Sequence, residues 1–278
     1  MTFLQAIFLG LVQGIAEFLP ISSSGHLSIF QNFFGIRSAE DGNLFFDVLL
    51  HLGTLVSVCL VYRREIMGII YDCIDFARTA GHPVPGEKKQ HSGVRLLVMM
   101  FFATLPLFIV LPVHDLVEQL YSSTAFIGVA LLLTGCMLYV ADRMPRGSKN
   151  EKRMGIKDAL IVGVCQAVAT VPGLSRSGTT ITAGIATGLD RQFAVKFSFL
   201  ISIPAVLGAN LLSFFKAVKA GIDWSLMPMY LVGMLIAMVS GYFAISLVKY
   251  ISQKGKFGWF AYYCWFAGAV TLILTIVL

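Results

Sequence analysis

Residues 10–25, GLVQGIAEFLPISSSG, and residues 163–178, GVCQAVATVPGLSRSG, are two copies of one motif that lie 153 positions apart. The copies share their first and last glycine, one glutamine, one alanine and two serines. They differ at the positions of the charged side chains: Glu17 is aligned with Thr170, and Ser23 is aligned with Arg176. Membrane proteins built from two half-repeats commonly place their site where broken helices of the two repeats meet. The motifs therefore indicate where a site forms, and the arginine indicates an anionic ligand.

The first copy predicts one helix that ends and a second helix that begins a few residues later. Gln13 and Glu17 are four residues apart and so share one face of the first helix. Pro20 stops that helix, and the serines that follow are suited to capping the next one. A capped helix start presents backbone N–H groups and a partial positive charge, which together form an anion site. The residues that we place at this site are Ser22, Ser23, Ser24, Gly25 and His26.

The second copy, PGLSRSGTT at residues 172–180, has the same construction with Arg176 at its tip. Two helix starts and one guanidinium fork, meeting near the middle of the membrane, suit a phosphate or a diphosphate. A structural ion pair between Glu17 and Arg176 is the alternative, although ionisable residues inside a membrane more often serve function. The residues of this copy that we expect to contact phosphate are Ser175, Ser177, Gly178 and Thr180.

The composition is that of a polytopic membrane protein. Hydrophobic residues make up 57% of the chain and charged residues 13%, and the mean hydropathy is +0.80, outside the range of soluble domains. Six apolar runs each approach the roughly 20 residues that a helix needs to cross a bilayer. They are residues 44–62, 96–113, 124–141, 197–215, 228–248 and 257–278. The net charge of +6 is explained by the loops between these runs, so it indicates no nucleic-acid partner.

The basic residues predict the topology. Residues 63–95 and residues 142–157 each carry six Lys or Arg, whereas residues 114–123 carry none. The positive-inside rule therefore places the two basic loops in the cytoplasm. Most of the basic residues that follow residue 157 also lie on the cytoplasmic side only if residues 157–190 enter the membrane and return as a hairpin.

By symmetry, residues 3–35 form a hairpin that enters from the outer side. The fold class that we predict is all-α, with six transmembrane helices plus two re-entrant helical hairpins in an inverted-topology repeat. Repeat one spans about residues 1–142 and repeat two about residues 155–278, within a single membrane domain. Both termini are expected on the outer side.

Together, residues 13–26 and 172–180 resemble the undecaprenyl-diphosphate phosphatases of bacteria, also known as bacitracin-resistance proteins. The pattern of that family is Glu or Gln, three residues, Glu, a serine-rich Gly-His, and later Pro-Gly-x-Ser-Arg-Ser-x-x-Thr. Every position is met, and residues 46–54 and 197–200 also look like the family. The resemblance implies an enzyme of the bacterial plasma (inner) membrane that hydrolyses undecaprenyl diphosphate to undecaprenyl phosphate and phosphate. That activity recycles the lipid carrier of the cell wall and confers bacitracin resistance.

The resemblance also implies dependence on a divalent cation, Mg²⁺ or Ca²⁺. An anionic diphosphate beside Glu17 is unfavourable unless a metal ion or a proton intervenes. We therefore assign Glu17, helped by Gln13, to binding the cation or to acting as general base. The expected partners are the isoprenyl diphosphate lipid and membrane lipids; a homo-oligomer is compatible with the sequence, which does not set the oligomeric state.

Two routes to breaking the phosphoanhydride bond stay open on the sequence. In the covalent route Ser23 is the favoured nucleophile, and His26 is the general acid or base, because an imidazole titrates near neutral pH. In the other route water attacks phosphorus directly. Arg176 and the helix starts near Ser23 and Ser177 bind the phosphates in either route.

Two other functions share parts of the pattern. Type-2 phosphatidate phosphatases also use Ser-Gly-His and Ser-Arg, but their second motif needs histidine and aspartate where this chain has Thr182 and Ala186. A transporter or flippase for polyprenyl phosphate stays open, because inverted hairpin repeats are also transporter architecture. Glu17 and His26 would then couple protons, and Arg176 would anchor the phosphate.

Two groups outside the motifs also carry polar chemistry. Asp47 and His51 are four residues apart and predict a pair that stabilises a helix or supports the site from behind. A cluster of aromatic residues at the start of the last apolar run is typical of a membrane-interface belt. Its members are Trp259, Tyr262, Tyr263 and Trp265.

Overall fold

The computed structural model describes residues 1–33, 44–79, 91–254 and 256–277, and these residues are almost entirely helical. Short 3₁₀ turns at Leu105–Ile109, Leu111–Val113 and Trp224–Leu226 extend or precede helices. The helices are α1 (Phe3–Phe18), α2 (Ser23–Phe33), α3 (Leu44–Val61), α4 (Arg63–Thr79), α5 (Ser92–Thr104), α6 (His114–Leu120), α7 (Thr124–Arg143), α8 (Ile156–Val168), α9 (Arg176–Ala186), α10 (Arg191–Ala220), α11 (Met227–Lys254) and α12 (Gly258–Val277).

Six helical segments are long and apolar enough to cross a membrane, and they confirm the six predicted spans within the described residues. Each one contains or closely matches an apolar run of the sequence. The chain is therefore a multi-pass, all-α membrane protein. The segments are Leu44–Val61, Ser92–Val113, Thr124–Arg143, Arg191–Ala220, Trp224–Lys254 and Gly258–Val277.

Helices α1 and α2 form a pair that folds back on itself. Helix α1 begins with a capping box, in which the Thr2 hydroxyl accepts from the Gln5 backbone N–H and the Gln5 side chain accepts from the Thr2 N–H. It ends at Phe18, two residues before Pro20, as the sequence predicts. The rings of Phe8 and Phe30 lie 4.9 Å apart, so the chain returns towards its starting level.

Helices α8 and α9 form the corresponding pair in the second half. The chain before α8 and the chain after α9 lie side by side, because Lys149 pairs with Leu189 in a parallel bridge. The Lys149 N–H donates to the Gly188 carbonyl at 3.0 Å, and the Asp190 N–H donates to the Lys149 carbonyl at 2.9 Å. The α8–α9 pair therefore starts and ends at the same place in the molecule.

Glycines let the first helix of each pair approach a long helix of the other half. A Cβ added to Gly10 of α1 would lie 2.5 Å from the Gly233 carbonyl oxygen of α11. A Cβ added to Gly163 of α8 would likewise lie 2.5 Å from the Ala103 carbonyl oxygen of α5. Gly10 and Gly163 are the positions that the repeat aligns, so the same close packing occurs twice.

Candidate active site

The turns of the two helix pairs meet inside the molecule. The Ser177 hydroxyl donates to the Leu19 carbonyl at 3.3 Å, and a Cβ on Gly178 would lie 3.2 Å from the Pro20 side chain. Thr134 of α7 holds the second turn, because its hydroxyl donates to the Gly173 carbonyl at 3.2 Å and accepts from the Ser175 N–H at 3.1 Å. The two copies of the motif are thus brought together, as the sequence predicts.

The first turn contains the one non-glycine residue with a positive φ among the described residues. Ser22 has φ of 72°, a left-handed conformation that costs about 1–3 kcal/mol and is concentrated at functional sites. Its hydroxyl accepts from the Gly25 N–H at 3.3 Å and lies 3.4 Å from the Ser24 hydroxyl. This turn starts α2 at Ser23 and directs the Ser23 side chain towards the carboxylate of Glu17.

Glu17 is the centre of the site. Its side chain is buried, and its oxygens are hydrogen-bonded: Oε2 accepts from the Ser23 hydroxyl at 2.6 Å and from the Gln13 amide at 3.1 Å. Oε1 accepts from the guanidinium of Arg176, so the first copy and the second copy are joined by an ion pair. The ion pair between Glu17 and Arg176 that the sequence allowed is therefore present. The serine that the sequence favours as nucleophile is hydrogen-bonded to this carboxylate.

His51 of α3 completes the group around Glu17. The Gln13 nitrogen Nε2 is 3.0 Å from His51 Nδ1 as well as within hydrogen-bond distance of Glu17. A carboxylate only accepts, so Nε2 is the donor to both partners and His51 Nδ1 is an acceptor. His51 Nδ1 also lies 3.8 Å from Glu17 Oε2. The sequence predicted that His51 supports the site from behind, and in the structure it contacts Gln13, which in turn bonds Glu17. Asp47 accepts from Gln31 at 2.7 Å.

His26 is held by two partners, and neither is Ser23. Its Nδ1 lies 2.8 Å from the Ser22 carbonyl oxygen, and its Nε2 lies 2.8 Å from the hydroxyl of Tyr263 on α12. The sequence suggested that His26 serves Ser23 as acid or base. In the structure the hydrogen-bond partner of the Ser23 hydroxyl is Glu17. Tyr263, assigned from the sequence to the interface belt, was missed as a site residue, because no local pattern connects it with His26 across 237 residues.

The polar residues of the second copy mainly shape the loop that carries Arg176. The Ser175 hydroxyl accepts from the Gly178 N–H at 3.1 Å and caps α9, and it lies 3.2 Å from the Ser177 hydroxyl. The Thr180 hydroxyl donates to the Arg176 carbonyl at 2.8 Å and lies 2.6 Å from the Ser198 hydroxyl. These hydroxyls are bonded to groups of the protein in the structure, and their contact with phosphate stays a prediction.

The donor set around Glu17 suits a hard divalent cation that arrives with a phosphate ligand. No cluster of three His, Cys, Asp or Glu suited to a metal ion occurs in the described residues. However, Gln13 Oε1 is buried without a hydrogen-bond partner, and the nitrogen of the same amide is bonded to Glu17. Mg²⁺ commonly binds one or two protein oxygens and completes its coordination with water and substrate phosphates. The residues therefore fit such a cation only when the ligand supplies further oxygens.

Taken together, the site offers a hydroxyl bonded to a carboxylate, one guanidinium, and two helix starts. An activated hydroxyl can attack an electrophile, and the guanidinium and helix dipoles can stabilise negative charge on transferred oxygens. This combination is suited to phosphoryl transfer.

The chain matches a known protein family over most of its length. The sequence pattern of the family described as "Bacitracin resistance protein BacA" covers residues 6–270. Curated relatives are similar from end to end. A protein of Carboxydothermus hydrogenoformans is 42% identical over 276 residues, which are 97% of this chain and 96% of that protein.

Two further relatives show the same extent of similarity. A protein of Alkaliphilus metalliredigens is 39% identical over 99% of this chain and 100% of its own length. A protein of Halothermothrix orenii is 37% identical over 99% of this chain and 98% of its own length. All three relatives are named undecaprenyl-diphosphatase.

Proposed function

The chain belongs to the bacitracin resistance protein BacA family, and on that premise we propose that it is an undecaprenyl-diphosphatase. It hydrolyses undecaprenyl diphosphate to undecaprenyl phosphate and inorganic phosphate, which recycles the lipid carrier of cell-wall synthesis. The observation that carries this function is the contact of Ser23 and Arg176 with the buried carboxylate of Glu17. The transporter alternative gains no support from the relatives, whose shared name is that of a hydrolase.

In the first step, Ser23 Oγ attacks the terminal phosphorus of the diphosphate and its proton passes to Glu17 Oε2. The two atoms are already 2.6 Å apart, which is within reach for direct proton transfer. The bond between that phosphorus and the bridging oxygen breaks, and undecaprenyl phosphate leaves as an anion. Arg176 and the start of α9 stabilise the charge that spreads over the phosphoryl oxygens.

In the second step, water hydrolyses the phosphoserine. The water oxygen bonds to phosphorus while the bond between phosphorus and Ser23 Oγ breaks, one water proton passes to His26 and from there to solvent, and the proton held by Glu17 returns to Ser23 Oγ. Inorganic phosphate then leaves. Direct attack of water on the substrate, with Glu17 as base, is the competing route, and substitution of Ser23 separates the two.

A divalent cation, Mg²⁺ or Ca²⁺, is part of this proposal. Glu17 and the free Gln13 Oε1 would hold it together with oxygens of the diphosphate. When bound, the cation neutralises phosphate charge beside the carboxylate and polarises the phosphorus–oxygen bonds. Gln13 Nε2 faces both Glu17 and His51 in this structure, so the amide would turn over for its oxygen to join Glu17 on the cation.

The finer architecture belongs to the same proposal. We infer that the α1–α2 and α8–α9 pairs are re-entrant hairpins related by an inverted repeat, within a single domain in the bacterial plasma membrane. The return of the chain at Lys149 and Leu189 supports the second hairpin, and the equivalent packing of Gly10 and Gly163 supports the repeat. The basic loops then lie in the cytoplasm and both termini lie outside.

The direct test is release of phosphate from undecaprenyl diphosphate by the purified protein in detergent and in proteoliposomes. We expect stoichiometric phosphate and undecaprenyl phosphate, with turnover lost in Glu17→Gln. A carboxylate on the exposed loop before α11 gives the matched control, Asp223→Asn, which should keep wild-type turnover. Movement of labelled lipid across the bilayer without phosphate release would instead establish the transporter.

A further inference from the structure

The turn before α2 determines which ring nitrogen of His26 carries the hydrogen. Nδ1 lies 2.8 Å from the Ser22 carbonyl oxygen, which can only accept. The hydrogen is therefore on Nδ1, and the neutral ring presents a lone pair at Nε2. The same carbonyl accepts from the His26 backbone N–H at 3.3 Å. The left-handed Ser22 thus fixes one edge of the imidazole.

The other edge is held by a residue from the far end of the chain. Tyr263 places its hydroxyl 2.8 Å from His26 Nε2, and the two rings are nearly parallel, with an angle of 15° between their planes. The phenol donates to the lone pair of the neutral imidazole. If Nε2 gains a proton, the same oxygen can accept from it after rotation of one hydroxyl hydrogen. Tyr263 therefore provides a partner for both protonation states of His26.

This contact distinguishes Tyr263 from its aromatic neighbours. Tyr262 points its ring at Trp265, with centroids 5.7 Å apart, and is more than half exposed. The residue after Tyr263 also joins α12 to the first turn, because the Cys264 thiol donates to the Pro20 carbonyl at 3.6 Å. An interface belt would need only the aromatic character that both tyrosines share. Only a hydroxyl at position 263 supplies the bond to His26.

We propose that Tyr263 is a positioning residue for the phosphatase reaction: its hydroxyl fixes the ring and the hydrogen-bonding state of His26 in the site. The inference rests on the proposed function. With Glu17 serving Ser23, His26 is the remaining imidazole on the first turn available for a proton of the attacking water or of the departing phosphate. A ring held at one nitrogen alone would rotate away from that orientation, which lowers the turnover rate rather than the binding of lipid.

The first test compares Tyr263→Phe with the matched control Tyr262→Phe, both purified in detergent. Tyr263→Phe keeps the ring and loses one hydrogen bond, so we expect kcat to fall roughly tenfold, with KM within about twofold of wild type. Tyr262→Phe should keep both constants. Wild-type kcat in Tyr263→Phe, or an equal loss in both variants, would overturn the proposal. A wild-type protein that releases no phosphate would instead refute the proposed function.

A double-mutant cycle separates positioning from general destabilisation. If Tyr263 acts only through His26, then His26→Ala together with Tyr263→Phe should be no slower than His26→Ala alone. Residual rates can be followed with radiolabelled diphosphate substrate. Losses that multiply in the double variant would show that Tyr263 acts independently of His26, and the proposal would then be wrong.

Discussion

At the scale of single residues, the decisive feature is that one buried carboxylate serves both motif copies. Glu17 accepts from Ser23 of its own turn and from Arg176 of the other turn. Removing one partner of a buried ion pair leaves an uncompensated charge, which destabilises a protein by about 3–5 kcal/mol. Stability and activity must therefore be measured separately in every variant of this group.

Substitution of Arg176 distinguishes a structural ion pair from a phosphate-binding residue. Arg176→Lys keeps the charge but loses the planar fork that binds two oxygens at once. We expect a loss of kcat of about 100-fold or more, and no measurable turnover in Arg176→Ala. The matched control is Arg143→Lys, on the exposed arginine that stacks on Tyr139, which should behave as wild type.

The double variant Glu17→Gln with Arg176→Gln sharpens this test. Neutralising both partners removes the buried unpaired charge, so the thermal stability of the protein should recover relative to either single variant. Turnover should stay absent. If turnover returned with stability, the pair would be structural and the phosphates would bind elsewhere.

Substitution of Ser23 and His26 tests the route by which the bond is broken. We expect Ser23→Ala and His26→Ala each to lose activity by orders of magnitude while still folding and binding substrate. A serine that only starts a helix would lose about 1 kcal/mol of stability and little turnover. The exposed Ser246 gives the control Ser246→Ala, because its hydroxyl bonds only within α11. Retained turnover in Ser23→Ala, with loss in His26→Ala, would favour direct attack by water.

The proposed dependence on a divalent cation gives a further prediction at the scale of single residues. Excess chelator should abolish hydrolysis, and added Mg²⁺ or Ca²⁺ should restore it. Gln13→Ala removes the buried free amide oxygen, so a higher concentration of cation should be needed for half-maximal rate. Full activity in excess chelator would show that Glu17 binds no cation and acts only in proton transfer.

The residues that the sequence could predict at the site are those within the two motifs. Their spacing on one helix, their proline and their serines are local signals, and the structure brings them together. The sequence singled out His51 only as half of a supporting pair, and Thr134 and Tyr263 carry no signal that ties them to the site, because each reaches it from another helix. His51 contacts a residue 38 positions away, and Tyr263 one 237 positions away. Only the packing of α3, α7 and α12 around the turns makes them part of the site.

At the scale of helices, glycine decides how closely the elements pack. The apolar runs predict each span because lipid demands continuous hydrophobicity, but helices α10 and α11 extend beyond their runs into polar ends. A Cβ added to Gly14 of α1 would lie 2.5 Å from the Ala237 carbonyl of α11. A Cβ added to Gly208 of α10 would meet nothing within 4 Å. Gly14 and Gly208 therefore provide a matched pair of variants, one at a tight helix contact and one in open space.

We expect Gly14→Ala to lower the melting temperature in detergent and Gly208→Ala to keep or raise it. Overpacking a tight helix contact destabilises by about 1–3 kcal/mol, whereas alanine in place of a free helical glycine stabilises by roughly 0.5–1 kcal/mol. Because Gly14 is one residue from Gln13, turnover should fall as well. Equal melting temperatures for the two variants would mean that α1 and α11 are not in close contact.

At the scale of the whole molecule, the inverted repeat that we propose would account for how two similar turns acquire different chemistry. In such a repeat, turns that enter from opposite sides meet tip to tip, so a carboxylate in one copy would lie opposite an arginine in the other. The sequence predicts the second hairpin from the basic loops and the first by symmetry, and the return of the chain at Lys149 and Leu189 supports the second. The quantity to measure is therefore the side of the membrane on which each loop and terminus lies.

Cysteine labelling in intact cells measures it directly. Single cysteines would be placed in a background from which the native five are removed. We expect an impermeant reagent to label Ser148→Cys and Lys254→Cys only after the membrane is opened, and Thr2→Cys and Ser122→Cys in intact cells. All four positions are exposed, so access is limited by the membrane and not by the fold. Ser122 and Ser148 also lie at opposite ends of one span, because α7 connects them.

Thr2 is the most informative of the four positions. If α1 and α2 return as a hairpin, Thr2 lies on the same side of the membrane as the start of α3. If they cross the membrane, Thr2 lies on the opposite side. Phosphate release by each single-cysteine variant shows that the labelled protein is native. Labelling of Thr2→Cys only from the cytoplasm, with Ser122→Cys still labelled from outside, would remove the first hairpin. The two turns could then no longer be related by an inverted repeat, and the opposition of Glu17 and Arg176 would need another origin.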